Sequence, residues 1–496
     1  MPTRTRQPRQ QDLALSRQQD RRWWILAAVS LATFMTYLDN NVTNVAIPTI
    51  QRSLHLSIAG LEWVVSSYIL VFASLLLAGG RLADSYGRRR LFFTGLSVFT
   101  LASLSAGLAT SGGVLIGARL VQGLGAALLV PTTLAIIMAT FTDARERTSA
   151  IGAWTAIGAL ALALGPLIGG LISQHLHWGW IFFINVPIGV VTFAIAIPTM
   201  RESRDSAAAH RLDIPGLITS AVAMFALTYA LIEGHDKGWT SPLIVAAFLA
   251  AAVAAVLFAV IELRTAQPMV DIRLFGTRVF GGGTAVTMLW AFGILGIYFF
   301  TSIYLQTILG FSPTKAGLAF VPMAICMAAF ASVSPQVAPR LGTHRTVGLG
   351  MALMAAGLYL VARLGGGATF AGLMPGFLMF GSGAGLMTVP LTNAVVQSMP
   401  SERSGVASAL MNASRELAGL LGITVIGAVL RAGQGVALRA GASPAGAFLH
   451  GYHDGLLLTV ALLVVGAAVG WASLRRLRAL EPVPDRATSR PRPARD

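Results

Sequence analysis

The stretch Leu38-Asp39-Asn40-Asn41-Val42-Thr43-Asn44-Val45-Ala46-Ile47-Pro48 places a carboxylate inside a long apolar segment that begins at Trp23. A charged side chain in a lipid-spanning helix costs roughly 2.5–3.5 kcal/mol or more, so such a residue is usually paired, faces water or binds a proton. At helical spacing the polar residues of this segment share one side, and they are Thr36, Asp39, Asn40, Thr43 and Asn44. The pattern predicts a helix with one face for water or a polar cargo and another for lipid or neighbouring helices. A purely structural role for Asp39, as a buried ion-pair partner, is the alternative.

The composition predicts a polytopic membrane protein. Of the 496 residues, 55% are hydrophobic and only 11% are charged, whereas a soluble protein carries about 25% charged residues. We expect fourteen transmembrane helices of about 20 residues each, which leaves short loops and no room for a sizeable extramembrane domain. The net charge of +16 does not indicate nucleic-acid binding, because the basic residues lie in the tails and in alternate short loops.

The apolar segments predict an all-α fold of two six-helix bundles with two extra central helices. The predicted parts are a cytoplasmic tail at 1–22, an N-terminal bundle at 23–199, two linking helices with flanking loops at 200–279, a C-terminal bundle at 280–474 and a cytoplasmic tail at 475–496. Repeated helix bundles around a site at the membrane midplane are the general plan of secondary transporters.

An internal repeat supports this division. Val130-Pro131-Thr132-Thr133-Leu134-Ala135 in predicted helix 4 is similar to Val389-Pro390-Leu391-Thr392-Asn393-Ala394 in predicted helix 12. The pair Glu146-Arg147 matches Glu402-Arg403 at nearly the same offset. A six-helix unit that is repeated after two extra helices explains both matches.

The positions of the arginines predict how the chain is oriented in the membrane. They precede helix 1 and follow the even-numbered helices, as Arg88, Arg145 and Arg340 do, so the positive-inside rule places both termini in the cytoplasm. Arg431 and Arg439, between predicted helices 13 and 14, are exceptions.

The loop after helix 2 reads Gly79-Gly80-Arg81-Leu82-Ala83-Asp84-Ser85-Tyr86-Gly87-Arg88-Arg89-Arg90. Its glycines let two helices approach and let the turn take unusual backbone angles. Asp84 and Arg88 offer a charge pair that can form in one conformation and break in another. An ordinary basic cytoplasmic loop is the other interpretation of these residues.

Helices 4 and 5 carry two further motifs. In Arg119-Leu120-Val121-Gln122-Gly123-Leu124-Gly125, Arg119 and Gln122 share a helix face, and Arg119 can either pair with Asp39 or extend to the interface. In Gly165-Pro166-Leu167-Ile168-Gly169-Gly170, Pro166 removes a backbone donor and bends the helix between glycines. A pivot and a mere packing kink both fit the second motif.

In order and spacing, these motifs make the chain similar to the major facilitator superfamily, and to its branch of drug:proton antiporters with 14 helices. The resemblance covers nearly the whole chain except the tails, and further stretches that carry it are Trp178-Gly179-Trp180, Asn185-Val186-Pro187, Leu305-Gln306, Gly310-Phe311-Ser312-Pro313 and Ala316-Gly317. It implies a proton-coupled exporter of multiple drugs or antibiotics that works by alternating access, in the bacterial plasma membrane. It also implies that the chain is not an enzyme, needs no cofactor or metal, and meets a small lipophilic substrate, protons and the bilayer as a monomer.

The resemblance also assigns roles to residues. Proton coupling falls to Asp39 and Arg119, and the substrate cavity to Asn40, Asn41, Asn44 and Gln122. The cytoplasmic gate comprises Gly80, Asp84, Gly87 and Arg88, and the antiporter hinge comprises Gly165, Pro166, Gly169 and Gly170.

The chain departs from the branch at several positions. Asn41 stands where Thr is usual, and Ser85 where Arg is usual. Some relatives place a carboxylate in helix 10, but 317–338 contains none, which leaves Asp39 as the expected single proton carrier. We expect Glu233 and Glu262, at helix ends, to be solvated, and Arg415-Glu416 to be a self-neutralising structural or gating pair.

Other function classes fit less well. An ATP-driven pump needs a phosphate-binding glycine-rich loop that ends in lysine, and neither Lys237 nor Lys315 has that context. A carrier of the same fold that exports an endogenous metabolite, lipid or siderophore, or imports a nutrient, is the main alternative. Tyr37, Trp154, Trp290 and Met411 would suit a lipophilic cargo, although such residues are more often bundle core.

Overall fold

The computed structural model describes residues 7–204, 213–265, 268, 270–399 and 404–475. Within these ranges the chain is helical and contains no β-strand. The fourteen long helices there are α1 Gln7–Leu54, α2 Ile58–Tyr86, α3 Arg88–Gly107, α4 Gly112–Thr140, α5 Ala144–His175, α6 Trp180–Thr199, α7 Ile214–Lys237, α8 Pro242–Arg264, α9 Arg278–Ile308, α10 Pro313–Leu341, α11 Thr343–Ala362, α12 Phe370–Gln397, α13 Ser404–Arg439 and α14 Pro444–Leu474. The predicted all-α, fourteen-helix fold is therefore confirmed.

The length and composition of α2 to α14 suit membrane-spanning helices. The other long helix, α1, begins at Gln7, so its first turns include residues of the predicted N-terminal tail. The predicted C-terminal tail at 475–496, apart from Arg475, lies outside the described residues, as do Glu402 and Arg403 of the internal repeat.

Short polar residues start many of the helices. Their side chains accept a hydrogen bond from a backbone N–H in the first helical turn, as Ser57, Ser111, Asp143, Ser312, Thr369 and Ser443 do. The short loops make consecutive helices antiparallel. We call the end that holds Arg88, Arg89 and Arg90, between α2 and α3, the Arg-rich end, and the other the opposite end.

The helices pack in two groups. In the first group, α1 to α6, α4 packs on α2 and α3, and α1 packs on α5 and α6. In the second group, α9 to α14, α12 packs on α10 and α11, and α13 packs on α9 and α14. The groups meet where α5 contacts α10 and where α2 contacts α13.

The two helices between the groups have different surroundings. α7 contacts α8 and also α2 and α13, so it touches both groups. α8 lies outside them and exposes large apolar side chains such as Leu249, Val253 and Val256. This arrangement leaves α8 to face lipid and makes α7 a neighbour of the contact between the groups.

Candidate functional site

Asp39 lies at the centre of the first group and is fully buried. Its Oδ2 accepts a hydrogen bond from Nη1 of Arg119 on α4. Its Oδ1 accepts from Nε2 of Gln122, at 2.7 Å, and from Nδ2 of Asn185 on α6, also at 2.7 Å. Ser103 on α3 accepts from Gln122 at 2.8 Å and from Asn185 at 3.2 Å. We call these five residues the Asp39 cluster.

Arg119 is held from several sides and does not extend to the interface. Its Nε donates to the carbonyl oxygen of Val64 on α2 at 3.2 Å, and its Nη1 also donates to Oε1 of Gln122 at 2.7 Å. Its guanidinium lies over the ring of Tyr68, 4.3 Å from the centroid. The side chain is 0% exposed, so the pairing with Asp39 offsets two charges that would otherwise be costly to bury.

Asp39, on the predicted polar face of α1, therefore lies against α4 and α6. Of the predicted cavity residues, Gln122 belongs to the Asp39 cluster. Asn41 donates to the carbonyl oxygen of Tyr37 at 2.7 Å, and Asn44 donates to that of Asn40 at 3.2 Å, so both amides bond to their own helix. Asn41, Asn44 and Gln122 do not line the cavity described below.

Asn185 and Ser103 are members of this cluster that sequence reasoning missed. Asn185 lies in a stretch that the sequence marks only as part of the family resemblance, and Ser103 is one of several serines in α3. Their signal was a polar residue in an apolar span, which gains meaning only when a buried carboxylate needs a donor, as Asn185 supplies, and the donating amides need a further acceptor, as Ser103 supplies.

The predicted gate residues lie together at the Arg-rich end. Oδ1 of Asp84 accepts from Nε of Arg88 at 3.0 Å and from its Nη2 at 2.8 Å. Gly87 takes a φ of +116°, a conformation that favours glycine. A second carboxylate, that of Glu202 after α6, accepts from the backbone N–H groups of Arg89 at 3.0 Å and Arg90 at 3.2 Å. Glu202 was not predicted, and it caps the start of α3 as an anion at a helix N-terminus.

The two glycines at the end of α2 differ in their surroundings. A Cβ added to Gly79 would lie 2.0 Å from the carbonyl oxygen of Ala127 on α4. A Cβ added to Gly80 would meet nothing nearer than Cβ of Pro131, at 3.7 Å. The close approach of α2 to α4 therefore depends on Gly79, although the sequence singled out Gly80.

The helix-5 motif seats α5 against α1 and α10. A Cβ on Gly165 would lie 2.4 Å from Cβ of Asn41, and one on Gly169 would lie 2.6 Å from the carbonyl oxygen of Val42. Gly170 is as close to α10, because its added Cβ would lie 2.4 Å from the carbonyl oxygen of Pro313. The helix continues through Pro166 from Ala144 to His175.

An ion pair joins the two groups at the opposite end. Oε1 of Glu62, in the first turns of α2, accepts from Nη1 of Arg431 on α13 at 2.7 Å. Nη2 of Arg431 also donates to the carbonyl oxygen of Ile232 on α7 at 3.1 Å. The side chains of Glu62 and Arg431 are 0% and 5% exposed. Glu62 was not predicted as a functional residue, although a carboxylate within the apolar run of helix 2 was its signal.

Glu233 and Glu262 were expected to be solvated at helix ends, but both accept hydrogen bonds from other parts of the protein. Oε1 of Glu233 accepts from Nε1 of Trp63 at 2.8 Å, and Oε2 lies 3.1 Å from Nζ of Lys237. Glu262 is 3% exposed and accepts from the backbone N–H of Val270 at 3.0 Å. Both carboxylates hold neighbouring segments together, because hydrogen bonds replace the water that they would otherwise bind.

A cavity lies among α9, α12 and α13, in the half nearer the Arg-rich end. The side chains around it include Thr287, Trp290, Thr388, Met411, Asn412 and Arg415. Nη2 of Arg415 pairs with Oε1 of Glu416 at 2.8 Å, as the sequence predicted for these neighbours. Two of the four residues proposed for a lipophilic cargo thus reach this cavity, whereas Trp154 instead donates its indole N–H to Oγ1 of Thr33 at 2.7 Å.

The model of the Major Facilitator Superfamily matches residues 29–423. The chain belongs to the major facilitator superfamily. This superfamily member is similar to the multidrug resistance protein Stp of Mycobacterium tuberculosis (strain CDC 1551 / Oshkosh), with 37% identity over 82% of this chain and 75% of the relative. It is 33% identical to the puromycin resistance protein pur8 of Streptomyces alboniger over 91% of both chains.

Other similarities agree with this assignment. The tetracenomycin C resistance and export protein of Streptomyces glaucescens is 33% identical over 83% of this chain and 76% of the relative. Among solved structures, an auto-inhibited peptide transporter of the POT family has a TM-score of 0.69 at 16% identity, over 95% of this chain and 99% of the other. A bacterial homologue of the lysosomal transporter Spinster has a TM-score of 0.66 at 18% identity, over 92% and 97%. The superfamily member is thus a multi-pass membrane carrier rather than an enzyme.

Proposed function

We propose that this carrier exports lipophilic small molecules in exchange for protons, by alternating access. The names of its relatives, which refer to drug resistance and export, support the direction and the kind of cargo. The observation that carries the coupling is Asp39, a fully buried carboxylate whose hydrogen-bond partners come from α4 and α6. An ionisable group inside the membrane that is held in this way is a candidate proton site.

The orientation follows from the arginines. The loop with Arg88, Arg89 and Arg90 faces the cytoplasm under the positive-inside rule. Both termini then lie in the cytoplasm of a bacterial cell, and the opposite end faces outward. The first and second groups of helices act as the two bundles that move against each other.

The contacts between the groups support a conformation that is closed to the outside. At the opposite end, polar contacts join the groups. Glu62 pairs with Arg431 at 2.7 Å, Gln306 donates to the carbonyl oxygen of Val45 at 2.8 Å, and Thr314 donates its backbone N–H to Gln174 at 3.2 Å and its hydroxyl to the carbonyl oxygen of Gly170 at 3.3 Å. The cavity lies in the cytoplasmic half. Alternating access requires these outer contacts to separate in the outward-open state.

In this proposal the protonation state of Asp39 changes the contacts among the helices around the Asp39 cluster. With Asp39 ionised, Arg119 is paired and α1 is bound to α4 and α6. A proton taken up from outside removes the charge that holds Arg119, so the contacts among these helices change. Cargo and proton thereby favour different states of one protein, which is what coupling requires.

In this proposal the loop after α2 and the glycines of α5 control the change between the inward-open and outward-open states. The pair of Asp84 and Arg88 latches the cytoplasmic side in the outward-open state, and it lies within the first group in the present conformation. Gly165, Gly169 and Gly170 let α5 pivot against α1 and α10 without a leak between them. One proton moved through 100 mV supplies about 2.3 kcal/mol, which sustains a roughly fifty-fold gradient of a neutral cargo.

The test of this function is transport by the purified carrier in liposomes. We expect an outward-directed cargo flux that depends on an imposed pH gradient and stops when a protonophore collapses it. Cargo would first be chosen from lipophilic antibiotics and dyes that the carrier expels from a pump-deficient bacterial strain. Flux that ignores the pH gradient would contradict the coupling, and flux that accumulates cargo in the cytoplasm would identify an importer.

A further inference from the structure

The cavity among α9, α12 and α13 is rich in hydrogen-bond donors and apolar surface. Ten residues of the described chain line it, and none of them is an aspartate or a glutamate. Its apolar wall includes Met387, Leu391 and Met411. If this cavity binds the exported cargo, which rests on the proposed function, its polar groups select the chemistry of that cargo.

Arg415 presents its positive charge to the cavity. Its Nε and Nη2 share a single oxygen, Oε1 of Glu416, at 3.3 Å and 2.8 Å. The side chain of Arg415 is 28% exposed and lines the cavity, whereas that of Glu416 is 11% exposed and does not. The guanidinium of Arg415 therefore lines the cavity, whereas the carboxylate that neutralises it does not.

Trp290 adds a donor without a partner. Its Nε1 is buried and has no hydrogen-bond partner among the described residues, and an indole N–H can only donate. A buried donor left unpaired is unfavourable, so a cargo oxygen that accepts from it would be favoured.

The threonines of the cavity offer acceptors of only modest strength. Thr287, Thr388 and Thr392 donate their hydroxyl hydrogens to carbonyl oxygens of their own helices, at 3.1, 2.6 and 2.9 Å. A permanent cation entering the cavity would lose its water and find neutral oxygens in place of a carboxylate. Burying a charge without an opposite charge is costly.

We propose that the cavity binds lipophilic cargo that is neutral or anionic and carries carbonyl or carboxylate acceptors, and that it disfavours permanent cations. Arg415 binds the acceptor or the negative charge, Trp290 donates to a second oxygen, and the methionine and leucine side chains cover the apolar body. The pair of Arg415 and Glu416, which the sequence suggested was structural or gating, thus becomes part of cargo recognition.

Three probes that share one fluorophore test this proposal. Dansylglycine is an anion, dansylamide is neutral and dansylcholine is a permanent cation. We expect the purified full chain in detergent to bind dansylglycine and dansylamide at least about tenfold more tightly than dansylcholine, by fluorescence titration. Equal or tighter binding of dansylcholine, or no binding of any of the three, would overturn the proposal.

Variants separate the roles of the side chains. Arg415→Gln should weaken dansylglycine binding about tenfold or more and dansylamide binding less, and Arg415→Lys should restore much of the loss. Glu416→Gln keeps the guanidinium, so it should retain dansylglycine binding and show that loss of the ion pair alone is not the cause. Arg439→Gln removes an exposed charge from the far end of the same helix and serves as the control. Equal weakening of all three probes by Arg415→Gln would contradict the assigned role.

These titrations need no proton gradient, so they can fail independently of the proposed function. Binding of dansylglycine without pH-driven transport would retain the cargo class and reject the coupling. Transport that is driven by a pH gradient and prefers dansylcholine would reject only the cargo class.

Discussion

Arg431 on α13 and Glu62 on α2 form a buried ion pair, 2.7 Å between Nη1 and Oε1, that joins the two groups of helices. This contact explains a basic residue that the positive-inside rule left as an exception. Arg431 lies within a helix and is neutralised by Glu62. It is therefore not one of the loop charges that the positive-inside rule counts. The carbonyl oxygen of Ile232 also accepts from Arg431. The linking helix α7 therefore takes part in the contacts that join the two groups at the opposite end, which we call the outer closure.

Arg431→Gln should weaken the outer closure. It leaves the buried carboxylate of Glu62 without its cation, which costs roughly 3–5 kcal/mol, so outward-open states should become far more populated. Cysteines at positions 174 and 314, in a Cys326→Ser background, would report the closure by cross-linking, because Thr314 N–H lies 3.2 Å from Oε1 of Gln174. We expect less cross-linking than in the parent.

Two controls accompany this measurement. Lys237→Gln removes a charge at the same end whose side chain is 42% exposed, and cross-linking should not change. The double variant Glu62→Gln/Arg431→Gln removes both charges and should recover much of the cross-linking. Unchanged cross-linking in Arg431→Gln would show that the pair does not hold the outer end closed.

Gly79→Ala and Gly80→Ala should differ sharply. The new methyl group at position 79 would overlap the carbonyl of Ala127, whereas position 80 has room for it. Overpacking of this kind costs about 1–3 kcal/mol, so Gly79→Ala should lower the melting temperature in detergent and reduce transport. Gly80→Ala should keep near-parental stability, and a larger loss from it than from Gly79→Ala would contradict the packing described here.

Gly317→Ala should open the contact between α5 and α10. Its added Cβ would lie 2.2 Å from the carbonyl oxygen of Pro166, which pushes the two helices apart. We expect faster passive proton leak across proteoliposomes and a lower melting temperature. Gly152→Ala is the matched control in α5, because nothing lies within 4 Å of its added Cβ. Equal behaviour of the two variants would argue against a sealed contact at Gly317.

The coupling of Asp39 and Arg119 can be measured as a double-mutant cycle in thermal stability. Each of Asp39→Asn and Arg119→Gln leaves one buried charge uncompensated, which should cost roughly 3–5 kcal/mol. Removing both charges should cost less than the sum of the single changes, because the double variant leaves no buried charge without a partner. Additive losses would mean that the two residues do not stabilise each other.

The sequence allowed the helices and the principal polar residue to be predicted, because apolar length and helical spacing are local properties. The fourteen helices and the shared face of Arg119 and Gln122 follow from such patterns. Whether Arg119 paired with Asp39 or extended to the interface depended on how α1 meets α4, which no local pattern contains.

The remainder of the site depended on contacts between distant segments. Glu202 caps α3 from the end of α6, and Glu62 meets Arg431 from the other group. Gly79 and Gly80 are adjacent and chemically identical, so only the position of α4 distinguishes them. The cavity needs three helices of the second group, so its lack of a carboxylate became visible only in three dimensions.

The central claim is that Asp39 couples cargo to protons, and Asp39→Asn tests it most directly. The variant would be reconstituted into liposomes with a pH-sensitive dye inside, beside the parent protein and Asp39→Glu, and its binding of cargo would be confirmed in detergent. We predict that cargo addition drives proton flux in the parent and to a reduced extent in Asp39→Glu, and drives none in Asp39→Asn although cargo still binds. Cargo-driven proton flux retained in Asp39→Asn would contradict the account.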